Sequence, residues 1–592
     1  MELWYPVSLG KYHYQHTTII TPWRTLMKPN PWDFLDQYRN EFFPGSWPTL
    51  PELFRITASR YGKRPCFTIF SPDRVTLTYD QALHKILQVA DFMATNGIQH
   101  GDRVAVSGKN SPEWAIAYLA VTFAGAVVVP IDYQLKNNEI SNILKASEAV
   151  ALFIDEEKFD AFSPDSSGLK ARWSLSPKKS DYLYELQATA SVPEIIPAKE
   201  DELAAILFTS GTTGNPKGVM LTHSNFVADC FLAQYHMELF PTDVFYALLP
   251  LHHSYSMLAV FIESISVGAE LVFGQKLVTS AILHDLKAAQ VTMFLGVPML
   301  FNKVLAGIMK GIKAKGPVVF GLIRTMMAIS GFIKKTFKVN PGKKMFGSVL
   351  DKASLRSIRI CISGGGPLAP SIFKQYNQLG IDFVQGYGLT ETSPILTLNP
   401  VKAYKETSVG KLLPRVECKI DNPDQDGRGE IIVRGPMIMQ GYYKNPEATA
   451  EVLDADGWFR TGDVGYLDKD NYLYLTGRCK NLIVTSGGKN VYPEEIENAF
   501  QLYTEIEQIL VRGFTESEED RSENIEALIY PNKEVFATFC DGGPASKDVV
   551  EKRIRAIVDE VNPTLQPYQK IVRVTVLEEP LEMTTTKKIK RF

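Results

Sequence analysis

From about residue 51 the chain alternates short β-branched runs with helical stretches, and this alternation constrains its fold more than any other feature. Thr76-Leu77-Thr78-Tyr79 reads as a strand and Gln81 to Thr95 as a helix. Arg103 to Ser107 is the next strand, Pro112 opens a helix over Glu113 to Ala124, and Val127-Val128-Val129-Pro130 is a buried strand. Such succession calls for sheets covered by helices, because each crossover helix hides one sheet face. Residues 160 to 200 lose periodicity and gain Ser, Pro and Lys, which suggests a surface connection. A second alternating block runs from Leu203 to about residue 410. Shorter, glycine-punctuated strands follow (Gly429 to Arg434, Tyr466-Leu467, Tyr472 to Leu475), as in a small antiparallel barrel or sheet. The part from about Lys480 is long enough for a compact domain, with strands at Gln508 to Val511 and Glu526 to Ile529 and a solvated acidic loop over Thr515 to Asn524.

At 592 residues the chain has room for about four domain-sized units. Its 45% apolar and 22% charged content excludes a disordered or collagen-like polymer. With 63 basic against 66 acidic residues, no global basic field draws nucleic acid. Six scattered cysteines without a CxxC pair point away from a disulfide framework or structural zinc and towards a reducing compartment. Met1-Glu2-Leu3-Trp4 shows no secretory pattern, and no run of about 18 uncharged apolar residues occurs, so a cytoplasmic, multidomain protein is expected. The first fifty residues hold Trp4, Trp23, Trp32 and Trp47, which suit an arm packed on the main body or a contact with an oligomer partner or membrane.

Positive charge concentrates in residues 303–352, which carry eleven basic residues and one acid, Asp351. That net of +10 leaves the other residues at −13. Apolar runs, Val318 to Ile323 and Met326 to Ile329, lie between the lysines. The insert reads as a peripheral contact with an anionic membrane on its cytoplasmic face, or as a helix pair with a solvated basic face. Arg324 argues against a spanning segment.

The strand Ala204 to Phe208 runs into Thr209-Ser210-Gly211-Thr212-Thr213-Gly214-Asn215-Pro216-Lys217-Gly218. Glycines let the backbone turn N–H groups towards an anion, and the hydroxyls and Lys217 add donors suited to a polyphosphate. The GxxxxGK[ST] phosphate loop is absent, since Lys217 is followed by Gly218. Further motifs follow in order: Gly386-Tyr387-Gly388-Leu389-Thr390-Glu391-Thr392, Trp458-Phe459-Arg460-Thr461-Gly462-Asp463, Gly477-Arg478-Cys479-Lys480-Asn481, and Ser486-Gly487-Gly488-Lys489-Asn490-Val491-Tyr492-Pro493-Glu494.

This ordered set, spread over roughly residues 50 to 592, resembles the adenylate-forming superfamily of acyl-CoA synthetases, peptide-synthetase adenylation domains and luciferases. The resemblance implies an α/β fold: a large N-terminal domain of two α/β subdomains plus a small β-barrel-like subdomain, then a small mobile α+β C-terminal domain. It divides the chain into an arm (1–50), a large domain (51–479) and a small domain (480–592), hinged at Lys480. It implies ATP, Mg²⁺ and CoA as reactants. A carboxylate cannot acylate a thiol directly; attack on the α-phosphate of ATP makes an acyl-adenylate whose AMP can leave, and positioning and electrostatics dominate the transfer. By position, Thr209, Ser210, Gly211, Thr212, Thr213, Gly214 and Lys217 would hold the β- and γ-phosphates, with Glu391 on Mg²⁺ and Thr390 near the α-phosphate. Gly364, Gly365, Gly366, Pro367, Gln385, Gly386, Tyr387 and Gly388 would border the nucleotide, Tyr387 stacking on adenine. Asp463, assisted by Arg478, would take the ribose hydroxyls.

Leu249-Pro250-Leu251-His252-His253-Ser254-Tyr255 matches the family's gate region, where His253 would border the acyl site with Gly365 and Gly388. Amino-acid-activating relatives place an Asp near here, which argues against an amino acid substrate. The glycine run 364–366 is expected to leave room for a chain-shaped acid. Thr485 to Val491 and Thr584-Thr585-Thr586-Lys587-Lys588-Ile589-Lys590-Arg591 resemble the long-chain fatty acid branch, with CoA as acceptor and Gly487, Gly488 and Lys489 along its channel. An acyl carrier protein is the alternative acceptor, and a non-catalytic nucleotide- or lipid-sensing homologue is the alternative class. Lys587 stands where the family usually has Gly, and Lys588 keeps the spacing to Ile589 and Arg591, so the resemblance assigns Lys588 as the catalytic lysine.

Overall fold

The computed structural model describes residues 29–164, 168–188, 191–209, 216–274, 278–485, 489–515, 523–538, 545–583 and 589–591. The helix Tyr79–Thr95 starts two residues before the expected point because Thr78 caps it. The Thr78 hydroxyl accepts from the Gln81 amide (3.3 Å), and the Gln81 side chain accepts from the Thr78 amide (2.9 Å). The strands Arg103–Ser107 and Val127–Ile131 and the helix Pro112–Phe123 fall where the pattern put them. Every residue of that helix except Glu113 is buried. It touches strands of both large sheets, so an all-round apolar sequence is what its position requires.

Seven strands form one sheet, in the order Gly441–Tyr442, Lys217–Thr222, Leu203–Thr209, Val127–Ile131, Arg103–Ser107, Ala151–Ile154, Ala171–Ser174. The last five run parallel, and Lys217–Thr222 returns antiparallel on Leu203–Thr209. A second sheet of thirteen strands joins two architectures through one strand, Asp382–Tyr387. Its first part pairs parallel with Ile360–Ser363, and its last two residues pair antiparallel with Thr397–Leu398. The glycine-punctuated strands are antiparallel as expected, but among the described residues they continue this sheet instead of closing a separate barrel. Beyond residue 479 a three-stranded sheet, Ile506–Phe514, Asn524–Pro531 and Arg573–Val576, packs on the helix Lys547–Val561 around its own apolar cluster. Both strands expected in this region are present, whereas most of the acidic stretch lies outside the described residues.

Three further expectations meet the structure here. Trp32 and Trp47 pack edge to face (5.9 Å), Trp47 stacks on Phe231 (6.0 Å), and Arg415 covers both rings, so the described part of the arm is fixed to the main body. Trp4 and Trp23 lie outside the described residues. The 160–200 connection is more than a surface link: Ala171–Ser174 adds a parallel edge strand, and Trp173 and Leu183 are buried. Four residues are too few to display a period, which is why the sequence concealed this strand. The basic insert forms the helices Pro298–Lys313 and Pro317–Phe337. The second is long and apolar enough, by length and composition, to cross a membrane, although Lys334 on it is buried against Asp382 (2.6 Å) and Asn377 (2.7 Å). The five described cysteines are all free.

The helix Leu50–Tyr61 is tied to the helix His223–Gln234 by the Leu50 amide, which donates to His223 Nδ1 (3.2 Å). Burial pushes the His223 pKa down to about 3. The unfolded chain therefore gains a proton below about pH 6.5 that the folded chain refuses, and stability falls with falling pH. Glu263, held up to about 8 by burial, acts in the opposite sense. Comparison with His223→Gln isolates the histidine. Between about pH 7.5 and 5 the wild type should lose about 2 kcal/mol relative to that variant in urea unfolding. Equal pH slopes would refute the assignment.

Candidate active site

The hairpin of Leu203–Thr209 and Lys217–Thr222 fixes both ends of the glycine-rich loop. Thr209 pairs with Lys217 in register, and its hydroxyl donates to the Lys217 carbonyl (3.4 Å). Ser210, Gly211, Thr212, Thr213 and Gly214 lie outside the described residues. Lys217 Nζ stands 4.8 Å from the centre of the Tyr442 ring. Tyr442 reaches this place because Gly441–Tyr442 pairs antiparallel with Val219 and Met220. Its hydroxyl donates to Glu391 (2.9 Å). Burial and the Glu391 carboxylate raise the Tyr442 pKa, so it stays a donor. Glu391 and Thr390 share a short 3₁₀ turn, Thr390–Thr392, held from below by the Met439 amide on the Glu391 carbonyl (2.9 Å).

A second cluster forms around Asp463. Asp463 and Arg478 face each other in register across the strands Phe459–Leu467 and Tyr472–Arg478. Arg478 Nε donates to one carboxylate oxygen (2.9 Å), and the Tyr387 hydroxyl donates to the other (2.7 Å). The Asp463 charge raises the Arg478 pKa. Burial, then Asp463, raises that of Tyr387. Both groups therefore keep their protons and remain donors to the Asp463 carboxyl oxygens. Tyr387 ends the strand Asp382–Tyr387, so the junction of the two sheet architectures carries one member of this cluster.

The gate segment meets the same turn. The hydroxyls of Ser254 and Thr390 are hydrogen-bonded (3.1 Å). The rings of His253 and His252 lie tilted at 51° with centres 4.1 Å apart, and His252 Nε2 lies 3.5 Å from Asp132. The ligand-type atoms of Asp132, His252 and His253 fall within 4.8 Å of one another, the closest grouping of that kind among the described residues. Tyr255 donates to the Ile362 carbonyl (3.0 Å), and its ring occupies the place a side chain on Gly364 would need (2.9 Å).

That contact corrects one expectation. The room left by Gly364 is filled by Tyr255, not left open for a substrate. At Gly388 a Cβ would meet the Pro394 carbonyl oxygen at 1.9 Å, so close backbone approach demands glycine there. Gly365, at φ +77°, keeps open space, with Val297 no nearer than 3.9 Å. Gly366 and Pro367 continue that loop, Gln385 is buried in register with Ser363, and a Cβ on Gly386 would come within 3.0 Å of the Thr397 carbonyl oxygen. Sequence reasoning missed Tyr442; a Gly-Tyr-Tyr run whose Tyr442 lies 223 residues beyond its strand partner Val219 carries no local signal.

Lys480 occupies the turn Cys479–Asn481, directly after the strand that ends at Arg478. Across this junction, Gln501 donates to the Pro367 carbonyl (3.2 Å), and Arg428 pairs with Glu495 (3.5 Å). Lys489 is exposed on a two-stranded ribbon, while Gly487 and Gly488 lie outside the described residues. Lys588 is also outside them. Its flanks are fixed, since Met583 and Ile589 form a β-bridge, and Arg591 binds Glu497 (2.6 Å) and the Val511 carbonyl (3.0 Å).

Residues 54–443 match the family model described as AMP-binding enzyme. A feruloyl-CoA synthase of Amycolatopsis sp is 29% identical, covering 79% of this chain and 85% of its own. A long-chain-fatty-acid–CoA ligase of Bacillus subtilis is 28% identical, covering 86% of this chain and 90% of its own. Among solved structures, the ATP-bound RpMatB-BxBclM chimera B1 superposes with a TM-score of 0.72 at 25% identity, over 92% of this chain and 97% of that one. The chain therefore belongs to the AMP-binding, adenylate-forming family.

Proposed function

We propose that this protein activates a long-chain fatty acid with ATP, releasing pyrophosphate, and transfers the acyl group from AMP to the thiol of CoA. The observation that carries the reading is a pair of polar clusters, Lys217–Tyr442–Glu391 and Tyr387–Asp463–Arg478, each built from separate stretches of chain and linked by the four-residue step from Tyr387 to Glu391. Asp463 offers a buried acceptor for the ribose hydroxyls, and the Tyr387 ring, held by its hydroxyl, is fixed for stacking on adenine. Thr209 to Gly214 and Lys217 cradle the β- and γ-phosphates. Glu391, oriented by Tyr442, holds the Mg²⁺ that arrives with ATP, and Thr390 stands at the α-phosphate. The metal would neutralise developing phosphate charge; the protein's part is to place the two anions together. Lys588 supplies the cation that bridges carboxylate and α-phosphate during adenylation. Rotation of residues 480–592 about Lys480 then brings Lys489 and the 487–488 glycines to the thiol channel.

The fatty acid reading rests on the wording of the Thr485 to Val491 and Thr584 to Arg591 motifs, on the gate with His and Ser where amino acid activators have Asp, and on the Bacillus subtilis relative. The space at Gly365, and not at Gly364, is where the acyl chain would pass. Product analysis decides. Mass spectrometry of reactions with a mixed acid pool, including ferulate, should show long-chain acyl-CoA as the main product. Feruloyl-CoA as the main product would replace the substrate class, and products seen only with holo acyl carrier protein would replace CoA.

Asp463→Ala and Glu391→Ala should each lower acid-dependent ATP–pyrophosphate exchange about a hundredfold or more, the usual cost of losing one charge-stabilising group. Near-normal exchange in both would sink the site assignment. Lys588→Ala should abolish acyl-adenylate formation yet still pass a supplied acyl-adenylate to CoA, whereas Lys587→Ala should do much less. A dead Lys587→Ala with an active Lys588→Ala would shift the register by one.

A further inference from the structure

The helix Pro317–Phe337 leaves one face uncovered. Val318, Leu322, Ile329 and Phe332 fall on a single helical stripe and are 83%, 60%, 50% and 66% exposed. Phe337, the last residue of the helix, and Val339 just beyond it are exposed as well. The opposite face, with Met327, Ser330 and Lys334, is buried, and Lys334 pins it to Asp382. Single exposed apolar side chains are ordinary, but four large ones gathered on one face from Val318 to Phe332 mark a contact surface.

The charges around the stripe have one sign. Lys310 and Lys313 stand in the last turn of the preceding helix, Lys315 in the turn between the two, Arg324 within the helix and Lys338 at its end, all exposed. Lys335 is already engaged by Glu406. The occupant must therefore be apolar beneath the stripe and anionic around it. A second copy of the chain would bring the same lysines against each other, which disfavours self-pairing. A bilayer containing acidic lipids supplies both features at once.

We propose that this helix docks in the plane of an anionic bilayer, with Val318, Leu322, Ile329 and Phe332 below the headgroups and the lysines among them. Crossing the bilayer would tear Lys334 from Asp382 and leave a charge unpaired, so the helix lies on the surface and does not span it. The preceding helix, Pro298–Lys313, starts beside the Gly365–Gly366 loop and leads to the basic turn, linking the docked surface to the candidate site. Docking stands whichever acid the site accepts.

Co-sedimentation of the full chain with phosphatidylcholine vesicles, with and without phosphatidylglycerol, tests this. The chain should partition onto the anionic vesicles, little onto neutral ones, and less as salt rises. Each lysine near the surface contributes about fivefold, so K310Q/K313Q/K315Q/K338Q should weaken partition by about a hundredfold or more. L322S/F332S should weaken it by about tenfold or more on the same vesicles. Both variants should keep wild-type pyrophosphate exchange. Equal binding to neutral and anionic vesicles, or unchanged binding in both variants, would overturn the proposal. So would a dimer in light scattering that L322S/F332S dissolves while vesicles stay unbound. Vesicle binding without exchange activity would leave the docking intact and remove the catalytic reading.

Discussion

The Asp463 carboxylate, held between Arg478 and the Tyr387 hydroxyl, is the interaction on which the arrangement turns. A buried anion is costly unless its oxygens are satisfied, and here each oxygen has a charged or strongly polar donor. Satisfying it fixes three things together: the register of Phe459–Leu467 on Tyr472–Arg478, the end of the Asp382–Tyr387 strand, and the last ordered residue before the Cys479–Asn481 turn. A nucleotide ribose arriving there would exchange one set of donors for another and would not have to create a charge site.

The Asp382–Tyr387 strand has the complementary part. Its parallel half needs both faces covered, and Phe383 is buried among Phe301, Phe373 and Tyr376. Its antiparallel end opens towards polar groups. One strand thus passes from a sealed core into a working surface within six residues. The change of pairing partner, which follows from the return of Thr397–Leu398, makes that passage possible.

Much of this was legible in the sequence. Alternation gave the layered α/β body, and the ordered motifs brought Tyr387, Glu391, Asp463 and Arg478 into view before any geometry. What stayed hidden depends on distant pairing. Tyr442 matters because it pairs beside Val219, and Tyr255 because its ring fills the gap at Gly364. Gly364 looked like room for a ligand and proved to be filled by that ring, while Gly388 is held to glycine by the nearby Pro394 carbonyl. A glycine in a motif declares that a side chain is intolerable, but only coordinates say what excludes it.

The turn at Cys479–Asn481 places the proposed pivot two residues beyond Arg478. Atoms near a rotation axis sweep short arcs, and Arg478 lies within about 7 Å of Lys480 along the chain. A large swing of everything downstream would therefore leave the guanidinium almost stationary against Asp463. The adenosine moiety could then serve as a common anchor for both half-reactions, released only at the end, while the groups that act on the acyl carbon take turns around it.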